Sequence, residues 1–221
     1  MDHSVPESAG HVPSDSYHES GTVEAWNERY LTRGMVWGTE PNQFLAAFAA
    51  GLTPCRVLDL GCGQGRNSVW LAGKNHQVTG LDLSPVAIEQ ARQLAKDHQV
   101  KVDFDTVDLV REWNPPPEAF DLIILSYLQL PPEDRQLVHR KAVEALAPGG
   151  TIWLIAHHSD NISMGVGGPP YPEVLFNENR LAADFSGLEI RRNEKVFRQV
   201  ETENGETKAA HDVCLEARKP L

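Results

Sequence analysis

Residues 57–68 read Val57-Leu58-Asp59-Leu60-Gly61-Cys62-Gly63-Gln64-Gly65-Arg66-Asn67-Ser68, and the fold is decided here. A short apolar run carries a carboxylate near its end and leads into three glycines at alternate positions. Val69, Leu71 and Ala72 follow at amphipathic spacing. The order is strand, tight loop, helix N-terminus. Glycines let the backbone turn sharply and approach a ligand with no Cβ in the way. The free N–H groups at the helix start face the same spot and favour an anion.

A dinucleotide fingerprint requires G-x-G-x-x-G/A, the third small residue easing helix–strand packing. Counted from Gly61 that position is Arg66, and from Gly63 it is Ser68. The dinucleotide pattern fails, which disfavours a nicotinamide-dependent oxidoreductase.

Strands and helices alternate outward from this motif. Strands are expected at Arg56–Leu60, Gln77–Leu81, Lys101–Thr106, Phe120–Leu125 and Thr151–Ala156. Helices are expected at Val23–Leu31, at Pro41–Ala50 with Pro41 first, at Asn67–Gly73, and from about Pro132 to Leu146. Ser84 reads as an N-cap with Pro85 at the first helical position; Val86, Ile88, Ala91 and Leu94 form that helix's stripe. Such alternation implies a doubly wound, mostly parallel sheet. Leu188–Val200 and Thr207–Arg218 flank Asn204-Gly205, a hairpin signal. The expected fold is therefore α/β, Rossmann-like, with seven strands and a C-terminal antiparallel hairpin. Residues 1–21 read as a disordered tail. Residues 22–221 read as one domain, with 22–54 as a helical lid.

Composition sets the outer limits. Formal net charge is −11 in 221 residues, with a pI near 5.2. This disfavours nucleic acid and anionic membranes as partners, which need basic surface. Cys55, Cys62 and Cys214 are odd in number and lack C-x-x-C spacing, against a disulfide framework or zinc site. No metal is expected. The longest apolar stretch, Phe44 to Ala50, is too short to span a bilayer. The expectation is a cytoplasmic monomer or homodimer acting on a small molecule.

The pattern Asp59-x-Gly61-x-Gly63-x-Gly65 resembles the first motif of class I S-adenosylmethionine-dependent methyltransferases, and the terminal hairpin agrees with it. Leu58 to Ala72 resembles the same segment of the tellurite-resistance methyltransferases, relatives of the thiopurine methyltransferase group. The Gly65-Arg66-Asn67-Ser68 run is the distinctive part. Phe176-Asn177-Glu178, Gly187-Leu188, Glu203-Asn204-Gly205 and Ala217-Arg218-Lys219 extend the likeness, which spans roughly residues 23 to 219.

The resemblance implies S-adenosylmethionine as cofactor and S-adenosylhomocysteine as product. It implies that Gly61, Cys62, Gly63, Gly65, Arg66 and Asn67 form the loop around the cofactor. Asp59 would hold its ammonium, directly or through water. Asp82 would accept from two ribose hydroxyls, as a carboxylate can. Asp108 would accept from the adenine amino group, with Leu83 and Leu109 flanking the ring; Asp103 and Asp105 are nearby but lie within the strand. Ser126 and Tyr127 should face the sulfonium. Arg29 or Arg66 could pair the cofactor's carboxylate bidentately, and Trp26 or Trp37 could face its cation.

Methyl transfer from a sulfonium is an in-line displacement, in which alignment and exclusion of water do most of the work. A soft thiol, selenol or telluride needs only to become an anion; a hydroxyl or amine needs a base. His157, at a strand's carboxyl end, is the expected base, with His211 second. Gly165–Tyr171 reads as a loop walling the substrate, with Tyr171 or Phe176 as possible contacts. The family often carries a His-Arg pair on the first hairpin strand. Here it is Phe197-Arg198, so Arg198 carries over and the histidine does not; His211 stands where an arginine is expected. With few pocket cations, the expected acceptor is small and uncharged or weakly polar. A noncatalytic cofactor-binding protein on the same fold is the alternative, ahead of an oxidoreductase.

Overall fold

The computed structural model describes residues 21–32, 34–201 and 204–221. The expected tail therefore lies, apart from Gly21, outside the described residues, as does Glu203 of the hairpin.

Helices α1 (Val23–Thr32) and α2 (Gln43–Ala49) precede the sheet. Strands β1 (Arg56–Leu60), β2 (Gln77–Asp82) and β3 (Asp103–Thr106) alternate with α3 (Arg66–Ala72) and α4 (Pro85–Asp97). Then come β4 (Phe120–Ser126), α5 (Pro132–Ala145), β5 (Leu146–His157), the short α6 (Asn161–Met164), a 3-10 turn at Pro172–Val174 and α7 (Glu178–Asp184). The hairpin β6 (Glu189–Glu201) and β7 (Thr207–Arg218) closes the chain. The sheet order is β3-β2-β1-β4-β5-β7-β6. The first five strands run parallel, and β7 is antiparallel to both β5 and β6. The expected fold class holds.

Both faces of the sheet are buried because successive strand residues point to opposite sides. Leu58, Leu60, Ile123, Leu125, Leu154 and Val213 pack beneath α5 and α7. Val57, Leu122, Ile124, Trp153, Ile155 and Cys214 pack with Leu45, Ala49 and Leu71 of α2 and α3. The chain winds outward in opposite directions from β1 and β4. The crevice beyond their carboxyl ends is thus the topological switch point, where open α/β sheets bind ligands.

Several boundaries moved for local reasons. Pro41 does not open α2: Asn42 is its N-cap, accepting from the N–H groups of Phe44 and Leu45. In α4 the buried stripe takes Ala87 rather than Val86; Ser84 caps it through Ala87 N–H as expected. Strand β5 begins at Leu146, ahead of the expected Thr151. It tolerates Pro148-Gly149-Gly150 through a register shift opposite Phe120 to Leu122, with Gly149 at φ +74°. Gly205 adopts φ +76° in the hairpin turn, the conformation its sequence signal requires. Among the described residues no helix is long and apolar enough to cross a membrane.

Candidate active site

The glycine loop is built as the motif requires. Gly61, Gly63 and Gly65 all have positive φ, at +70°, +54° and +79°. Gly65 is the residue before α3 and carries the sharpest steric demand. A Cβ there would lie 2.8 Å from the Ala91 Cβ and 2.9 Å from the Phe104 ring.

Two carboxylates frame the loop. Asp82, at the end of β2, accepts from Gly63 N–H at 2.8 Å and Ser84 N–H at 2.9 Å. Burial raises its carboxyl above the usual range, against the lowering effect of these N–H groups. A carboxylate has roughly four lone-pair sites, which leaves acceptor capacity for hydroxyls. Asp59 is 1% exposed and accepts from the Ser68 hydroxyl at 2.6 Å through one oxygen. Its other oxygen, Oδ1, is buried with no partner, and so is Ser126 Oγ at the end of neighbouring β4. Orphaned buried polar atoms are costly. Their position in the switch-point crevice fits a polar ligand that supplies the missing partners. The residues present fit S-adenosylmethionine: Asp59 Oδ1 for the ammonium, Asp82 for the ribose, the glycine loop between them.

Complete burial pushes the Asp59 carboxyl up to about 7, opposed by the Ser68 hydroxyl and reinforced by the charge of Asp82. An ammonium at Oδ1 favours the ionised form. Below pH 7 the free site therefore holds a proton that the bound site releases. Affinity for S-adenosylmethionine is expected to rise with pH by up to about tenfold per unit below neutrality and to level off above it. Calorimetry in buffers of different ionisation enthalpy checks this. Affinity that does not change over that range would contradict the assignment of Asp59.

Helix α1 covers the crevice. The Tyr30 hydroxyl oxygen lies 3.1 Å from where a Cβ of Gly63 would be. Ser84 Oγ donates to Asn27 Oδ1 at 2.6 Å, and Gln90 Nε2 to the Tyr30 carbonyl at 3.2 Å. Gln64, inside the glycine loop, donates to the Gly34 carbonyl and accepts from Val36 N–H. The cover is thus latched to the loop itself. The carboxylate alternatives separate here. Arg29 lies over the Trp26 ring, 4.7 Å from its centroid, and Trp26 stacks on Tyr30. Arg66 donates to the Trp37 carbonyl at 2.7 Å, with Asp59, Tyr127 and Arg198 as electrostatic neighbours. Arg66 thus stands at the crevice, whereas Arg29 is engaged with Trp26. Trp37 meets Arg66 through its backbone, with its side chain largely exposed.

Two expected contacts are otherwise engaged. The Asp108 carboxylate accepts from Val110 and Arg111 N–H groups and from the Arg111 guanidinium. Burial opposes ionisation, but these donors hold its carboxyl below the usual range. It closes its own turn, so the adenine role is not prepared at this side chain. Asn67 accepts from Asn42 N–H at 2.9 Å and ties α3 to α2. Leu109 is buried and Leu83 half-buried, each following a strand end. Cys62 is buried in the loop, its thiol pushed up by burial.

A second polar cluster, beyond the ends of β4 and β5, is organised by a residue that the sequence reading missed. Asp212, on β7, is fully buried. Its carboxylate lies 3.1 Å from His157 Nδ1 and accepts from Tyr127 OH at 2.8 Å and Arg198 Nε at 3.0 Å. Burial works against the charge, but His157, Arg198 and Tyr127 together hold its carboxyl below the usual range. Three of the four expected catalytic residues thus converge on one unexpected carboxylate. Tyr127 sits at φ +57°, an uncommon conformation for a bulky residue that clusters at functional sites. His211 does not join them. Strand alternation puts it on the opposite face from Asp212, edge-on to Phe197 at 5.0 Å. Two open concavities, about 440 Å³ beside Arg92 and Lys101 and about 330 Å³ beside Arg191 and Leu221, touch none of the expected site residues.

Residues 57–150 match the family model described as a methyltransferase domain. The chain carries a class I S-adenosylmethionine-dependent methyltransferase domain. A thiopurine S-methyltransferase of Vibrio cholerae is 27% identical to this methyltransferase over 187 residues, covering 76% of this chain and 83% of its own. Many solved structures share the fold. One concerns conversion of a disulfide bond into a thioacetal group during echinomycin biosynthesis, with TM-score 0.74, 24% identity and coverage of 90% and 91%. TehB from Haemophilus influenzae gives TM-score 0.67 at 22% identity, covering 89% of this chain and 66% of that one. The 1,6-didemethyltoxoflavin-N1-methyltransferase of Burkholderia thailandensis, with bound S-adenosylhomocysteine, gives 0.67 at 19%, covering 98% and 94%. The methyltransferase thus resembles the thiopurine methyltransferase and TehB group.

Proposed function

We propose that this methyltransferase moves a methyl group from S-adenosylmethionine to the sulfur of a small-molecule thiol. The observation that carries the reading is a juxtaposition. Asp59 Oδ1 and Ser126 Oγ lie unpartnered in the cofactor crevice, and His157, Tyr127 and Arg198 meet at Asp212 on the adjoining strands. The thiopurine S-methyltransferase relative and the structure concerned with thioacetal formation, both sulfur chemistry by their names, support sulfur as the acceptor atom.

In this reading Asp59 and Asp82 bind and orient the cofactor, which supplies an electrophilic methyl group. Arg66 holds its carboxylate. Helix α1, with residues 22–54 as a lid, excludes water, and alignment supplies much of the rate. Residues 22–221 act as one catalytic unit, cytoplasmic, as a monomer or homodimer.

The test is direct. Protein incubated with S-adenosylmethionine and parallel panels of thiols, phenols and amines is analysed by mass spectrometry. A methyl adduct on thiols, with stoichiometric S-adenosylhomocysteine, is expected. Preferential methylation of phenols or amines would overturn the sulfur assignment.

A further inference from the structure

The His157 ring is confined on three sides. Its Nδ1 edge meets Asp212 at 3.1 Å. One side meets the Tyr127 ring, with centroids 4.8 Å apart at 42°. The Gly168 backbone also lies against the ring. A Cβ on Gly168 would fall 2.9 Å from His157 Cγ and Cδ2, and Gly168 has φ +80°. Only glycine can be laid there without displacing the ring.

The strap that carries Gly168 is fastened by Asn161, which is 4% exposed. Its Nδ2 donates to the carbonyls of Val166 and Gly167, and its Oδ1 accepts from His211 N–H on β7 at 2.8 Å. The strand that carries Asp212 therefore also anchors the strap. Gly165-Val166-Gly167-Gly168, legible in the sequence only as a loop, is one wall of the His157 slot.

This confinement fixes the imidazole's chemistry. Asp212 also accepts from Tyr127 OH and Arg198 Nε, and an ionised carboxylate only accepts hydrogen bonds. His157 Nδ1 must then carry a hydrogen, so that in the neutral imidazole the lone pair is on Nε2. The Arg198 charge is matched by the Asp212 carboxylate it contacts. The group His157, Asp212, Tyr127 and Arg198 has no net charge when the imidazole is neutral. A preformed anion would meet a lone pair and a neutralised guanidinium. A neutral S–H meets an acceptor.

We infer that the acceptor enters as a neutral, protonated thiol, that His157 Nε2 takes its proton during transfer, and that Asp212 and the Asn161–Gly168 strap are positioning residues for that base. This rests on the sulfur-methylation reading. As the new carbon–sulfur bond forms from a thiol lone pair, the S–H proton passes to Nε2. The bond from methyl to sulfonium breaks, and its electron pair stays on the departing sulfur. The products are the methyl thioether, S-adenosylhomocysteine and an imidazolium, which returns its proton to water.

The test compares an alkyl thiol, protonated at neutral pH, with 4-nitrothiophenol, which is ionised there. Wild type, His157→Asn and Asp212→Asn are assayed on both. S-adenosylhomocysteine binding by calorimetry confirms that each variant is folded. For the alkyl thiol, kcat/KM is expected to fall about 10²–10⁴-fold in His157→Asn, the usual range for a lost acid–base group. It should also fall in Asp212→Asn, whose amide can present a donor to Nδ1 and select the wrong tautomer. For the thiophenol the loss should stay under about tenfold, because no proton is removed. Nitrogen-15 NMR of the wild-type imidazole should show hydrogen on Nδ1, and Asp212→Asn should shift that signature. Equal losses on both thiols, no loss on the alkyl thiol, or hydrogen on Nε2 would overturn the inference. Wild type that binds S-adenosylhomocysteine but methylates neither thiol would bring down the sulfur reading itself, and this inference with it.

Discussion

Gly65→Ala should lower the melting temperature by about 4–20 °C and weaken cofactor binding with it. The new Cβ would stand 2.8 Å from the Ala91 Cβ, 2.9 Å from the Phe104 ring and 3.3 Å from the Ala91 Cα. The last is backbone of α4 and cannot swing aside. The residue would also keep φ near +79°, which costs an L-residue about 1–2 kcal/mol. Overpacking adds about 1–3 kcal/mol. At roughly 2–4 °C per kcal/mol for a chain of this size, the two effects give the stated range. Relief of the clash must move the start of α3, and with it the N–H groups facing the crevice. Thermal unfolding beside calorimetric titration measures both. Wild-type stability with wild-type affinity would contradict the close approach.

Asp82→Ala should weaken S-adenosylmethionine binding by at least about 100-fold. The substitution removes the acceptor for two ribose hydroxyls, and charge-assisted hydrogen bonds contribute about 1.5–3 kcal/mol each. It also strips Gly63 N–H and Ser84 N–H of their partner. Each such buried donor left alone costs about 1–3 kcal/mol, so some loss of stability accompanies the loss of affinity. The two are separable: titration below the variant's own melting temperature reads affinity on folded protein. Affinity within about threefold of wild type would remove Asp82 from the site.

The strongest signals in the sequence were those in which one residue type is demanded by backbone geometry. Three alternating glycines at positive φ, the Ser84-Pro85 cap and the Asn204-Gly205 turn are of that kind, and each stands where it was expected. Strand alternation likewise made the doubly wound sheet readable, because both faces of β1, β4 and β5 are apolar. Polar side chains with a choice of partners were harder. Asp108 and Asn67 look like ligands in a motif, yet a nearby turn and the neighbouring helix claim them. Nothing local distinguishes those uses. Arg29 and Arg66 could not be separated until their neighbours were seen.

Asp212 is the instructive omission. Its three partners come from β5, β6 and the residue after β4, separated from it by 55, 14 and 85 positions, so no local spacing announces it. A faint signal existed. Ala210, Asp212 and Cys214 share one face of β7, and the flanking pair is small and apolar and buried. A carboxylate on such a face must be paired. His211, the neighbour the sequence offers as a second base, lies on the other side by strand alternation.

Everything proposed for this chain depends on the crevice between β1 and β4 being a site for S-adenosylmethionine. Isothermal titration of the wild-type protein with S-adenosylmethionine and S-adenosylhomocysteine, beside NADH, tests it most directly. Micromolar binding of the first two, no binding of NADH, and loss of the signal in Asp82→Ala are expected. A folded protein that binds neither S-adenosyl compound, or that binds NADH instead, would contradict it.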